Sequence, residues 1–179
     1  DVTKTVTYEA LSDGLTFLTP PVEAETEITG PVAAKLFVSS ETEDADLFLV
    51  LRAFTPDMRE LVYQGSNDPH TPVGLGWLRA SHRKLDAEQT LPYRPYHSHD
   101  EVQPLTPGKI YELDIEIWPT SIVLPKGYRL GLSLRGRDYV YPGFEAGQGT
   151  VAGRVYYGVG PFKHDLKGNR PAKIYGGQV

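Results

Sequence analysis

Cysteine is absent from this 179-residue sequence. That excludes disulfide frameworks and thiolate metal sites. It also removes one argument for secretion and leaves the cytoplasm as the default compartment. Long apolar runs are absent as well. The longest, Leu47 to Leu51, falls far short of the ~20 residues a membrane-spanning helix needs, so no membrane partner is expected. Positive charge is scarce: 18 Lys and Arg stand against 23 Asp and Glu, a net charge of −5. An acidic chain is a poor partner for phosphate backbones, and no nucleic acid is expected. No signal-peptide pattern opens the chain. Asp1 in place of Met reads as the start of a piece cut from something longer.

Turn formers and tyrosine are plentiful: 18 Gly, 15 Pro and 11 Tyr. Gly and Pro punctuate turns, while Tyr suits pleated, half-buried surfaces. The length fits one domain spanning 1–179, and the composition points to an all-β one.

The hydrophobic period supports this, being 2 rather than 3.6. From Ile110 to Trp118, Tyr111, Leu113, Ile115 and Ile117 share one face, and Glu112, Asp114 and Glu116 the other. That is a strand with one dry and one wet side. Tyr128 to Arg135 repeats the pattern, with Tyr128, Leu130, Leu132 and Leu134 inward. Asp46 to Phe54 is apolar on both faces apart from Arg52, as in a central strand covered on both sides. Ala33 to Ser40 places Ala34, Leu36 and Val38 inward. Further strands are expected at Thr3–Glu9, Thr16–Leu18, Glu60–Gln64, Gly76–Arg83, Ile122–Leu124 and Val151–Tyr157. Gly76–Arg83 has a short helix running through Leu85 as its alternative. Pro56-Asp57 fits a type I turn; Pro107-Gly108, Lys126-Gly127 and Pro142-Gly143 separate later strands, and Gly30-Pro31 stops whatever precedes Val32. Lys84 to Thr106 has no strand period and holds three prolines, Pro92, Pro95 and Pro104. A long loop of this kind, 84–106, is often functional or partner-binding.

Reaction machinery is hard to find. No Gly-x-Ser-x-Gly elbow is present to expose a nucleophilic serine. Gly65-Ser66-Asn67-Asp68-Pro69-His70 gathers Ser, Asp and His, but a triad needs those groups to converge from separate elements beside an oxyanion hole. A polar turn explains it better. In Tyr96-His97-Ser98-His99-Asp100-Glu101, the i, i+2 histidines of an extended segment face one way, which suits a metal. A lone His-x-His is weak evidence, and a solvated loop is the default for His97 and His99. Asp114 and Glu116 share a face, as a glycosidase pair would, but with Glu112 they form the wet side of an amphipathic strand. Trp77, Trp118 and the tyrosines could make a sugar platform, although core packing is the default for most. No Walker-type phosphate loop is present, and no cofactor is expected.

Several segments resemble the C-terminal domain of the cocaine-esterase and X-prolyl dipeptidyl-peptidase family of serine hydrolases. The first is Phe17-Leu18-Thr19-Pro20-Pro21 followed by Glu27-Ile28-Thr29-Gly30-Pro31. The second is Ser40 through Asp44-Ala45-Asp46-Leu47, a Ser-x-x-x-Asp-x-Asp approach to a central strand, and then Val50 to Asp57. The third is Gly76-Trp77-Leu78-Arg79-Ala80-Ser81-His82-Arg83. The fourth runs from Leu105-Thr106-Pro107-Gly108 through Trp118-Pro119-Thr120-Ser121 to Pro125-Lys126-Gly127-Tyr128-Arg129-Leu130. The likeness covers roughly Leu15 to Leu134 and, more loosely, Gly160 to Gly177. Each motif alone is turn and strand grammar; their order and spacing carry the resemblance. One departure is Met58, where many relatives have Gly after Pro-Asp, so no turn needing positive φ is expected there. The chain also stops at Val179, where relatives usually continue, in keeping with a fragment.

The resemblance implies a jelly-roll β-sandwich with a galactose-binding-domain-like fold. It implies two partners within the same polypeptide: an N-terminal α/β-hydrolase domain holding a Ser-His-Asp triad, and a helical cap. A homodimer is a further partner it allows. None of the triad maps onto this sequence, so no catalytic residue is carried over. The expected role is to buttress the hydrolase, help wall its pocket, and contact it through Trp77, Arg79, Tyr93, Tyr96 and His97. A carbohydrate-binding module is the alternative.

Overall fold

A computed structural model of the chain describes residues 4–9, 12–65, 70–139, 141 and 171–176. Nine strands are found among them: β1 (Lys4–Glu9), β2 (Leu15–Leu18), β3 (Thr26–Ser40), β4 (Asp46–Phe54), β5 (Glu60–Leu61), β6 (Gly74–Arg79), β7 (Tyr111–Leu124), β8 (Arg129–Arg135) and β9 (Pro171–Gly176), with one 3-10 turn at Ala80–His82. The antiparallel pairs are nested. β4 pairs with β6, β3 with β7, β2 with β8 and β1 with β9. The chain is thus one long double ribbon rolled so that β3 also pairs with β9 and β4 with β8. The result is two sheets, β1-β9-β3-β7 and β2-β8-β4 with β5 and β6 along the far side of β4. This nested roll is the expected jelly-roll sandwich.

The two-residue period places the core. Leu47, Leu49, Leu51 and Ala53 of β4 meet Leu113, Ile115 and Ile117 of β7, with Ala34, Val38 and Leu134 beside them. Each fully buried Leu or Ile contributes roughly 1.5–3 kcal/mol of burial. The sandwich closes tightly where β6 passes β7. A Cβ on Gly76 would stand 2.3 Å from the Glu116 carbonyl oxygen, and one on Gly74 3.1 Å from Ile117 Cγ2. Both glycines sit opposite inward residues of β4, Leu49 and Leu51. Their missing side chains let the two sheets approach.

Several expectations need correction. Gly30-Pro31 does not stop a strand: β3 runs through it, and β7 runs through Pro119 to join the two segments read separately. The register passes from Gly30↔Thr120 to Val32↔Ile117, leaving Pro31 opposite Trp118 and Pro119. That is a bulge, where neither proline is asked for a ladder hydrogen bond. Gly76–Arg83 is a strand only to Arg79; Ala80 to His82 turns as a 3-10 segment, and the turn ends there instead of running on as a helix to Leu85, which bridges to His97. The second face of β8 is not wet. Gly131, Ser133 and Arg135 are buried there.

Met58 has φ 65°, contrary to the expectation for that turn. Thr55-Pro56-Asp57-Met58 closes with Met58 N–H donating to Thr55 O at 2.9 Å, and Thr55 N–H donates to Arg59 O at 2.9 Å. Arg59 N–H also donates to Thr55 Oγ1 at 3.0 Å. A type I turn followed by a left-handed residue is the three-residue hairpin that joins β4 to β5, and these hydrogen bonds hold Met58 where glycine would be easier. Val151–Tyr157, Pro142-Gly143 and, within the Gly65–His70 turn, Ser66–Pro69 lie outside the described residues.

Candidate functional site

The motifs that carry the resemblance meet in pairs. Asp46 accepts both prongs of Arg79, Nε to Oδ1 at 2.7 Å and Nη2 to Oδ2 at 2.8 Å. Asp44 Oδ1 accepts from Ser81 N–H at 2.9 Å and its Oδ2 from Ser81 Oγ at 2.6 Å. The Asp-x-Asp segment thereby pins the 3-10 turn. The Asp46 carboxylate, together with burial, which is the larger cause, also pushes the Tyr8 hydroxyl pKa up. Elsewhere Thr19 N–H donates to Leu130 O at 2.9 Å, Val22 N–H to Tyr128 O at 2.8 Å, and Gly127 N–H to Val22 O at 2.9 Å. The first and fourth motifs are thus stitched together. These joints tie separate segments of the domain together.

The second face of β8 and β4 holds a polar cluster. Arg52 forms an ion pair with Glu60, whose Oε1 also accepts from Tyr139 Oη at 2.7 Å. Burial, aided by Glu60, pushes the Tyr139 pKa up. Ser133 Oγ accepts from Arg52 Nη1 at 3.2 Å and shares a hydrogen bond with Thr16 Oγ1 at 2.7 Å. Arg135 and Arg137 both reach Asp13 Oδ1, at 2.9 and 2.7 Å.

The segment read as a long loop, 84–106, has its own bonding. Leu85 bridges to His97 and Leu91 to Arg94; Asp86 N–H donates to Tyr96 O at 2.8 Å and Ser98 N–H to Lys84 O at 3.1 Å. Leu105 N–H reaches Glu43 O at 2.7 Å, and the Leu105 side chain joins the core. Arg83 lies over the Tyr111 ring at 4.5 Å. Lys84 pairs with Asp100 and Glu101 at 2.9 and 3.2 Å. The excursion reaches edge strand β7 at Asp114, whose backbone holds His97.

The residues singled out in the sequence fall into different settings. Arg79 is engaged inside the domain by Asp46. Trp77 is half-buried, hydrogen-bonds Asp138, and meets exposed Trp118 edge to face, with ring centres 5.1 Å apart and planes at 71°. Tyr93 and Tyr96 are 56% and 42% exposed, with Leu91 at 39% beside them in sequence. His97 and His99 do come together, with ring centres 6.0 Å apart. The structure adds His82, which no sequence motif marks as a partner of the pair: its Nδ1 lies 3.4 Å from His99 Nδ1. No sequence spacing could have found it, because loop closure brings it there from 17 residues away. Burial first, then the neighbouring His99, lowers the His97 pKa. Among the described residues, no three His, Asp or Glu side chains stand ready to hold a metal as the rings now lie.

Comparison with known proteins agrees with this architecture. Residues 1–153 match the model of the X-Pro dipeptidyl-peptidase C-terminal non-catalytic domain. A protein of Mycobacterium bovis classed by inference as a serine esterase, Mb1866c, is 33% identical over 129 residues, which is 69% of this chain; a counterpart from Mycobacterium tuberculosis, MT1883, matches equally. The chain spans only 19% of the length of these relatives. Among solved structures, a CocE/NonD family hydrolase from Staphylococcus aureus superposes with a TM-score of 0.83 at 24% identity, covering 97% of this chain and 30% of that one. An α-amino acid ester hydrolase superposes with a TM-score of 0.55 at 18% identity, covering 91% of this chain and 23% of that one. Both structural likenesses speak to the fold. By its family match, this chain belongs to the X-Pro dipeptidyl-peptidase C-terminal non-catalytic domain family.

Proposed function

We propose that this domain buttresses the catalytic domain of a larger serine hydrolase, docking through the excursion 84–106 and helping to wall the substrate pocket. The observation that carries the docking surface is the exposure of Leu91, Tyr93 and Tyr96 within six residues of one well-bonded excursion. Large apolar side chains gathered at the surface mark interaction sites, and tyrosine is favoured where one end stays wet. Of the other candidate contacts, Arg79 is occupied by Asp46 and serves stability instead. The parent would cleave an ester or an X-Pro peptide bond. A serine supplied by the hydrolase domain attacks the carbonyl, the alcohol or amine leaves, and water releases the acyl group.

The isolated chain is expected to give no ester or X-Pro peptide turnover above blank; robust turnover would overturn the reading. In the whole parent, the double substitution Tyr93→Ala, Tyr96→Ala should loosen the domain from its neighbour. It should lower the parent's melting temperature and raise its KM while leaving the isolated domain's melting temperature unchanged. If the parent is indifferent, the surface lies elsewhere. Self-association of the isolated chain, lost in the same variant by sedimentation, would instead mark the surface as a dimer contact. The sugar-binding alternative is weakened by the 71° angle between Trp77 and Trp118, which offers no coplanar platform.

A further inference from the structure

We propose that His82, His97 and His99 form a binding site for a borderline divalent metal of the zinc class, which staples the excursion 84–106 to the 3-10 turn. The proposal is independent of the docking reading. Three of the chain's five histidines meet here. Two nitrogens bound to one tetrahedral zinc at ~2.0–2.1 Å stand about 3.3–3.4 Å apart. His82 Nδ1 and His99 Nδ1 are 3.4 Å apart, which is already that separation. The ring centres of two such ligands lie roughly 5 Å apart on the same geometry. Those of His82–His99 and His97–His99 are at 5.6 and 6.0 Å, so each of these two pairs lies within about 1 Å of the separation a shared metal requires.

The backbone of His82 and the ring of His97 are both held in place. His82 ends the turn fixed by Asp44 and Ser81. His97 hydrogen-bonds the Asp114 backbone, while its Nε2 is buried without a partner. The partnerless Nε2 leaves Nδ1 as the nitrogen that meets the Asp114 carbonyl, so Nε2 carries the lone pair. A backbone carbonyl orienting one ring nitrogen while the other faces the metal is the usual support of a histidine ligand. His99 sits at φ 52°, a left-handed conformation that costs energy outside glycine, and its ring lies beside that of His82. A buried nitrogen lacking a hydrogen bond is costly, and a metal would satisfy it. The fourth position is left to water.

The test uses the 179-residue chain, freed of metal and of any affinity tag, titrated with Zn(II) by calorimetry and with Co(II) by visible absorption. One equivalent should bind, with the intense visible bands of tetrahedral Co(II). It should also protect 84–106 from limited proteolysis. His82→Ala and His99→Ala should each weaken binding by about tenfold or more, and His70→Ala, whose ring stacks on Tyr141, should leave it unchanged. His97→Ala should do the same as the first two; if that variant does not fold by circular dichroism, the first two decide. Absence of binding at millimolar metal overturns the site, as does undiminished binding in the His82→Ala, His99→Ala double variant.

Discussion

Arg79 grips Asp46 with two parallel hydrogen bonds across β6 and β4, and the two partners are buried unequally: 4% of the Asp46 side chain is exposed against 20% of Arg79. Breaking a buried ion pair from one side costs more than the pair contributes, because a charge is stranded. Arg79→Ala removes both hydrogen bonds from the more deeply buried group and should cost about 3 kcal/mol. Asp46→Ala should cost less, about 2 kcal/mol, since Arg79 still has Asp44 Oδ2 at 3.7 Å. Urea midpoints at constant slope measure both. The reverse order would mean that stranding the buried carboxylate costs less than stranding the guanidinium.

Met58→Gly should stabilise the domain. A non-glycine residue in the left-handed region costs roughly 1–2 kcal/mol, and the greater freedom of an unfolded glycine takes back up to about 1 kcal/mol. Met58 is 46% exposed, so little burial is lost. The expected net gain is about 0.5–1 kcal/mol, read as a rise in melting temperature. A fall would show that the Met58 side chain contributes more than its backbone costs.

The Met58 case also shows where sequence reasoning stops. Alternation identified β7 and β8, because successive residues of a strand point to opposite faces, and a continuous apolar run identified β4. The same alternation could not say that β3 and β7 continue through Pro31 and Pro119, because those prolines are tolerated only by facing each other at one bulge. Nor could it separate a wet second face from a covered one: Ser133 and Arg135 look like solvent residues until β2, Arg52 and Tyr139 are placed over them. The docking candidates Tyr93 and Tyr96 were legible as aromatics in a strandless stretch. His82 was not, because its neighbours come from the far end of a folded excursion. The jelly-roll order itself came from resemblance, since strand patterns alone do not encode which strands pair.

Gly76 and Gly74 look equivalent in sequence, yet they should respond differently to alanine. At Gly76 the new methyl meets a backbone carbonyl oxygen at 2.3 Å and Ile117 Cγ1 at 3.0 Å; at Gly74 its nearest neighbour is a side-chain methyl at 3.1 Å. A side chain can turn away, whereas the β7 backbone can move only by parting the sheets. Gly76→Ala should therefore cost about 3 kcal/mol or more and Gly74→Ala about 1 kcal/mol. Equal costs would mean that the β6–β7 contact is softer than its spacing indicates.

Asp138 supplies the pH test. Burial is the larger cause that raises its pKa, partly offset by hydrogen bonds from Tyr139 N–H at 3.1 Å and from Trp77. A carboxyl group whose folded pKa lies above its unfolded one holds its proton more tightly in the native state. Between the two values the folded chain binds more protons than the unfolded chain, so stability falls as pH rises through that window and stays lower above it. Asp138→Asn keeps one oxygen to accept the hydrogen bond from Tyr139 N–H but never ionises. The variant should thus be more stable than the parent chain at pH 7, and the difference should shrink toward zero as the pH drops below the ordinary aspartate value. Taking the difference between the two proteins cancels every other titrating group. If the two stability curves run parallel from pH 7 down to acid, Asp138 ionises as freely in the folded chain as in water and its burial carries no electrostatic cost.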